Sequence, residues 1–213
     1  MEDRTNRFEQ ALLSMDRLRC RTLLQEAMAA EGGLAGAERL IGPTLARIGN
    51  DWEAGDLALT QVYMSGRICE DLLLEVCPPA GRTDPDSPLI GLAVLKDHHQ
   101  LGKRIVSASL LSCGFRVVDY GHGLEAAEIA ERALQDRVTI LMVSVLMFSS
   151  ALHIRELRQA LGESPDRPFL VVGGAPFRFD RNLWKEVRAD AVGHTGVDAV
   201  TIAQRILEGT CAR

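Results

Sequence analysis

Asp97 and His99 stand one residue apart, with Gly102 three residues further on, directly after the apolar run Leu89-Ile-Gly-Leu-Ala-Val-Leu95. A carboxylate bonded to one imidazole nitrogen fixes the tautomer and raises the donor strength of the other, so this pair suits a transition-metal ligand. One histidine cannot hold a metal ion by itself. His99 therefore implies a metal whose other positions are already filled, as in a macrocycle. Three other chemistries compete for the same region. Gly121-His-Gly-Leu-Glu-Ala126 matches a dinucleotide-type G-x-G-x-x-A, but the next apolar run ends at Ser144, where an acidic residue would be needed to hold a ribose. Ser144, His99 and Asp97 form a hydrolytic triad only on paper, because Ser144 sits in no G-x-S-x-G elbow. A phosphoacceptor site of the receiver type needs an Asp closing a third strand and a Lys closing a fifth, and this chain has Ser144 to Leu146 and Gly193-His194 there. Five cysteines (Cys20, Cys69, Cys77, Cys113, Cys211) are scattered without a C-x-x-C pair, which argues for packing thiols rather than a zinc knuckle or disulfide framework.

The elements that would position these residues can be read from periodicity. Short apolar strands are expected at 89–95, 115–120, 138–144, 168–173 and 189–193, alternating with amphipathic stretches at 102–113, 124–135, 150–161, 179–188 and 196–208. Such alternation forces parallel pairing through right-handed crossovers, which predicts an α/β domain with a flavodoxin-like, Rossmann-type five-stranded sheet. Ligands of such sheets lie beyond the carboxyl ends of the strands. The loops to search are then 96–102, 121–123, 144–150, 173–177 and 193–196, where Ser144, Gly173, Gly174 and Ala175 leave room for something large. Upstream the spacing is helical: Phe8, Ala11, Leu12 and Met15, then Leu24, Ala27 and Met28, then Leu40, Ile41, Leu45, Ile48 and Trp52. A further helix opens at Thr60 and runs to about Cys77. Breaks near Met15, Gly32-Gly33 and Gly55-Asp56 predict an N-terminal four-helix bundle over 1–77. Four of the eight prolines fall within 78–88, which reads as a linker to a second domain over 89–213.

Composition narrows the partners. The 213 residues are 46% hydrophobic and 25% charged, as in soluble globular proteins. A net charge of −5 and the lack of any Lys/Arg run argue against nucleic acid, and 5% aromatics argue against a base-stacking platform. The apolar runs are strand-length, well short of the roughly 18 residues that cross a bilayer, and the N-terminal residues Met1-Glu-Asp-Arg-Thr-Asn-Arg are charged. A cytoplasmic protein with no membrane contact is the expectation.

Three pieces in order, Asp97-His98-His99-Gln100-Leu101-Gly102, Ser144-Val-Leu146 and Gly173-Gly174, resemble the D-x-H-x-x-G, S-x-L and G-G signature of cobalamin-binding domains of the methionine synthase type. Gly114-Phe-Arg-Val-Val-Asp-Tyr-Gly121 suits the second strand of that family, and residues 8–77 resemble its helical cap, above all Ile48-Gly-Asn-Asp-Trp52-Glu-Ala-Gly55. The resemblance implies cobalamin (methylcobalamin or another corrinoid) with His99 as the lower axial ligand of cobalt. It further implies Asp97 as the partner of His99 and Ser144 as the third member of a proton relay. His98, Gln100, Leu101, Gly102, Leu146, Phe148, Ser149, Gly173, Gly174 and Ala175 would contact the cofactor or line the slot for its nucleotide tail, and Trp52 would act as a lid. Trp52 also fits a core position, and Ser149 and Ser150 also fit the N-cap of a helix. His98, His122, His153 and His194 read as loop histidines in solvent.

Three positions depart from the family pattern: Lys96 replaces a glycine, Gln100 a second Asp and Arg104 an Asn, the two cations adding positive charge near the corrin rim. The resemblance implies a corrinoid carrier that passes a methyl group on cobalt between a substrate:corrinoid methyltransferase and a second methyltransferase with a tetrahydrofolate or thiol acceptor. The chain is too short to include a substrate-binding barrel of its own, so no complete active site is expected, and 78–88 would serve as a hinge. The alternative is a B12-dependent regulatory or light-sensing protein without its own DNA-binding domain. Against it, Val62 and Tyr63 occupy the places of the Glu-His pair of light-sensing relatives. A subunit of an adenosylcobalamin mutase is the third possibility.

Overall fold

A computed structural model describes residues 2–76 and 87–209. The chain forms two compact units, Met1–Cys77 and Pro78–Arg213. Most of the proline-rich segment read as a hinge, along with Cys77 and Cys211, lies outside the described residues.

The first unit consists of four helices, α1 (Glu2–Leu13), α2 (Arg17–Ala30), α3 (Leu34–Glu53) and α4 (Leu59–Val76). They end where the backbone leaves helical space: Met15, Gly32, Gly33 and Gly55 all have positive φ, and the Asp16 side chain accepts from the Arg19 N–H to start α2. Phe8, Leu12, Leu23, Leu24, Ile41, Ile48, Leu72 and Leu73 are buried between the helices, which accounts for the period of the apolar positions. Burial pushes the Cys20 thiol up to about 11 and raises Cys69 as well, so both remain neutral packing groups at pH 7. Trp52, near the end of α3, is 43% exposed and is no core residue.

The second unit carries five parallel strands, β1 (Leu89–Val94), β2 (Arg116–Asp119), β3 (Ile140–Ser144), β4 (Phe169–Gly173) and β5 (Ala191–Gly193), in the order β2-β1-β3-β4-β5. This is the flavodoxin-like order. Alternate strand residues feed two cores. Ala93, Leu141, Val143, Leu170 and Val172 pack with Ile129, Ala133 and Leu157 on one face. Ile90, Leu92, Ile140, Met142 and Val171 pack with Leu110, Ala199 and Ala203 on the other. The helices supplying these residues are α5 (Leu101–Ser112), α6 (Ala126–Gln135), α8 (Ile154–Ala160) and α11 (Gly196–Leu207), with α7 (Phe148–Leu152), α9 (Ala175–Phe179) and α10 (Leu183–Glu186) as short pieces.

Two expected crossover helices are each divided. Over 150–161 the helix tightens at His153, whose N–H bonds the Ser150 carbonyl and whose ring bonds Glu156, separating α7 from α8. Over 179–188 the apolar spacing conceals a turn. Asp180 is extended and its carboxylate accepts from the Asn182 N–H, so the chain forms α9 and α10 around an Asx turn.

At the far end of the sheet the side chains of Arg167 and Asp190 are both buried, and the guanidinium bonds the two carboxylate oxygens at 2.6 and 2.7 Å. Asp190 also accepts from the Leu170 N–H at 2.7 Å, tying the start of β4 to the segment before β5. Burial alone would raise the Asp190 carboxyl, but the bonds from Arg167 and Leu170 outweigh it and hold the group below its ordinary 3.8. Its stabilising effect is therefore full above that value and is lost as pH falls through the lower folded-state value. Asp190→Ala leaves the Arg167 charge buried without this partner and should cost about 3–5 kcal/mol in urea unfolding at pH 7. A loss below about 1 kcal/mol would show that water replaces the carboxylate.

Candidate functional site

Parallel register brings the carboxyl ends of four strands into one row, Val94 beside Ser144, Ser144 beside Gly173, and Gly173 beside Gly193. The loops that follow therefore emerge side by side. After β1 the chain turns sharply at Lys96, whose φ of +59° is the left-handed value that a glycine adopts without strain. The Lys96 N–H bonds the Leu124 carbonyl, and its ammonium pairs with Glu125 at 2.9 Å. Its charge is thus paired with a carboxylate.

The turn places Asp97 in a buried position, 6% exposed. One carboxylate oxygen accepts from the Leu146 N–H at 2.8 Å, with a longer 3.5 Å approach from the Met147 N–H. The other accepts from the His99 N–H at 3.1 Å and lies 3.5 Å from His99 Nδ1. One side chain so links the β1 loop to the β3 loop and orients an imidazole. The His99 side chain is 52% exposed, and with Nδ1 turned to the carboxylate its Nε2 is the nitrogen available to a metal.

Ser144 closes β3, and its Oγ lies 3.2 Å from where a β-carbon on Gly102 would sit. Among the described residues no hydrogen bond joins its hydroxyl to Asp97 or His99. Asp97 and His99 are brought together, while Ser144 lies beside Gly102 and outside their bonded pair. Gln100 takes the N-cap position of α5, and Leu101 and Gly102 form its first turn. Leu146, Met147 and Phe148 form an exposed apolar shelf directly after β3. Helix α7 begins at Phe148 with Met147 in the cap position and no side-chain cap bond; Ser149 is exposed in its first turn and Ser150 is buried. Neither serine caps the helix.

Gly173 and Gly174 have an intramolecular reason to be glycine. A β-carbon on Gly173 would lie 2.8 Å from the Gly193 carbonyl oxygen, and one on Gly174 would lie 1.8 Å from that of Val145. Ala175 opens α9 just beyond them. The histidines read as solvated are more engaged than expected: His98 and His122 share an Nδ1···Nδ1 bond of 3.0 Å with their rings edge to face, and His153 pairs with Glu156. Arg178 donates to the His194 carbonyl.

A further residue closes the run Asp97–Lys103 and gains its role only from the fold. Lys103, in the first turn of α5, is buried with its ammonium on Asp119 and on the Gly121 carbonyl. Lys103, Val106 and Leu110 share one helical face, and the other two pack in the core.

This arrangement fits a corrinoid. Among the described residues no group of three or more His, Cys, Asp or Glu side chains could hold a metal ion, so His99 can offer a single coordination position. A half-exposed imidazole oriented by a buried carboxylate, next to an apolar shelf, suits a flat and largely apolar ring that brings its own metal.

The comparisons with known proteins agree with that geometry. Residues 88–203 match the B12 binding domain family, and residues 5–74 match a second family also described as B12 binding domain. Monomethylamine corrinoid protein 2 of Methanosarcina mazei is 27% identical over 216 residues, covering 95% of this chain and 97% of that protein. The structure of the Methanosarcina barkeri monomethylamine corrinoid protein superposes with a TM-score of 0.83 at 24% identity, covering 96% of this chain and 99% of the other. The methanol:cobalamin methyltransferase complex of Methanosarcina barkeri includes a chain of the same fold, with a TM-score of 0.55 at 22% identity over 99% of this chain and 82% of that one. The first match spans the sheet and its loops, including Asp97, His99 and the shelf, and on this ground the chain belongs to the B12 binding domain family.

Proposed function

We propose that this protein is a corrinoid carrier within a multi-component methyltransferase system, docking in turn with a substrate:corrinoid methyltransferase and with a second methyltransferase whose acceptor is tetrahydrofolate or a thiol. Bound cobalamin would supply a cobalt centre able to carry a methyl group between the two partners. The observation that carries the reading is the buried Asp97, held by the Leu146 N–H and aimed at His99 Nδ1. His99 would hold the cobalt through Nε2, the ring nitrogen turned away from Asp97. Asp97 keeps the imidazole in one orientation and retains the proton on Nδ1, which makes the free nitrogen the stronger donor.

Leu146 and Phe148 exclude water from the cofactor's edge, and Gly102, Gly173, Gly174 and Ala175 leave the strand ends bare of bulky side chains. Ser144, a backbone neighbour of the Asp97 loop, would join the relay by rotating its hydroxyl. His98, Gln100, Leu101 and Ser149 are proposed as further cofactor contacts. Trp52, exposed on the helical unit, is proposed as a further cofactor-binding residue. The monomethylamine relatives and the methanol:cobalamin complex support partners of the methyltransferase class.

His99→Ala is the direct test. The wild-type chain should retain cobalamin through gel filtration with the spectrum of a histidine-ligated cobalt, and His99→Ala should lose that spectrum. Identical spectra for the two proteins would sink the reading. A change in association state on illumination, without methyl transfer to either partner class, would favour the regulatory alternative.

A further inference from the structure

We propose that Lys103 is a positioning residue for the His99 ligand, acting through Asp119 and the loop that follows β2. The inference rests on His99 as the cobalt ligand and concerns what holds that ligand in place.

A buried ammonium is costly unless it is paired and fully bonded. The Lys103 side chain is 2% exposed. Its Nζ donates to an Asp119 carboxylate oxygen and, at 3.0 Å, to the Gly121 carbonyl. The same Asp119 oxygen accepts from the Gly121 N–H at 2.8 Å, so residues 119–121 close around the ammonium. Two residues further on, the loop grips the ligand segment: the Gly123 N–H donates to the Asp97 carbonyl at 2.8 Å, and His122 shares its 3.0 Å bond with His98. The ring of His98 also lies against Gly123, where a β-carbon would come within 2.5 Å of its Cε1.

These contacts form a closed circuit. The segment from Asp97 to His99 continues through Gln100 into α5, Lys103 ties the first turn of α5 to the 119–121 turn, and His122 and Gly123 tie that loop back to Asp97 and His98. Backbone bonds still hold the loop to β1 without the ammonium, from Tyr120 N–H to the Leu92 carbonyl and from Val94 N–H to the Gly121 carbonyl. Loss of Lys103 therefore removes the tie between the first turn of α5 and the 119–121 turn, which loosens 122–123 and the ligand segment while the sheet persists.

The test uses the full chain, labelled with nitrogen-15 and loaded with cobalamin reduced to cobalt(II). In paramagnetic resonance a labelled histidine nitrogen splits each cobalt line into a doublet, whereas the unlabelled nitrogen of the cofactor's own tail gives a triplet. Wild type should show the doublet. Lys103→Met should fold, bind cobalamin about tenfold more weakly and show a doublet largely replaced by the triplet. Lys103→Arg should restore most of the doublet, a rescue that a purely space-filling role would not produce. Asp119→Ala, at a half-exposed position, should reproduce Lys103→Met and decides the matter if Lys103→Met fails to fold. A full doublet with unchanged affinity in Lys103→Met, or in Asp119→Ala where the former does not fold, overturns the inference while His99→Ala still lacks the doublet. A doublet that persists in His99→Ala overturns the ligand assignment and this inference together.

Discussion

Asp97→Asn should weaken cobalamin binding by about 10–100-fold and lower the stability of the cofactor-free protein by about 2–3 kcal/mol. The wild-type carboxylate accepts on both oxygens. One takes the Leu146 N–H and the other takes the His99 N–H while facing His99 Nδ1. An amide of the same size has one oxygen and one NH2 group, so whichever way it is turned, an N–H meets an N–H at a buried position. If the oxygen stays with Leu146, the β3 loop is kept and the imidazole loses its acceptor. In the other orientation the loop after β3 is released, and with it the apolar shelf of Leu146, Met147 and Phe148. Charge-assisted bonds are about twice as strong as neutral ones, which sets the stability loss at the upper part of the hydrogen-bond range. Cobalamin titration and urea unfolding measure the two effects separately. Unchanged values in both would show that Asp97 neither orients His99 nor ties the loops.

Gly174→Ala should be the most destabilising single substitution at the strand ends, by roughly 4 kcal/mol. Gly174 has φ +123°, outside the range of ordinary side-chain-bearing residues, and its β-carbon would lie 1.8 Å from the Val145 carbonyl oxygen and 2.9 Å from the carbonyl carbon. These are backbone atoms. Val145 is itself bonded through its N–H to the Gly173 carbonyl at 3.0 Å, so it cannot retreat without parting β3 from β4 at the end that carries the site. A domain with about 5–15 kcal/mol of total stability would lose a large share, and cobalamin binding would fall with it. Ser149→Ala, at an exposed position in the same region, should leave the unfolding midpoint where it is. Equal midpoints for Gly174→Ala and wild type would show that the β3 and β4 loops can move apart freely.

The glycines also mark how far a residue-by-residue reading reaches. Their place after a strand pointed to a bare sheet end, and a cofactor approaching the backbone is one reason for that. The folded chain supplies a nearer reason, because the Val145 and Gly193 carbonyls already occupy the space. The divided helices were hidden for a related cause. Phe179, Leu183 and Val187 keep helical spacing across the Asx turn at Asp180, and periodicity sees the apolar positions while the break depends on one carboxylate and one N–H. The site histidine was legible because its partner is two residues away. Lys103 was not, because a lysine on an apolar helix face has meaning only once its partner is known, and Asp119 lies sixteen residues on, at the end of another strand.

By itself the sequence determined what near neighbours decide. The alternation of strands and helices, the helical first unit, the loops at the strand ends and the Asp97–His99 pair all follow from spacing within a few residues, where chain connectivity already holds the partners close. The tertiary structure decided everything that crosses the sheet. Asp97 meets the Leu146 N–H 49 residues away only because β1 and β3 are paired in a register that ends them together at Val94 and Ser144. That register is set by burying Ala93, Val143 and Val172 on one face and Leu92, Met142 and Val171 on the other. A slip of one residue would exchange the faces and carry the carboxylate away from its donor.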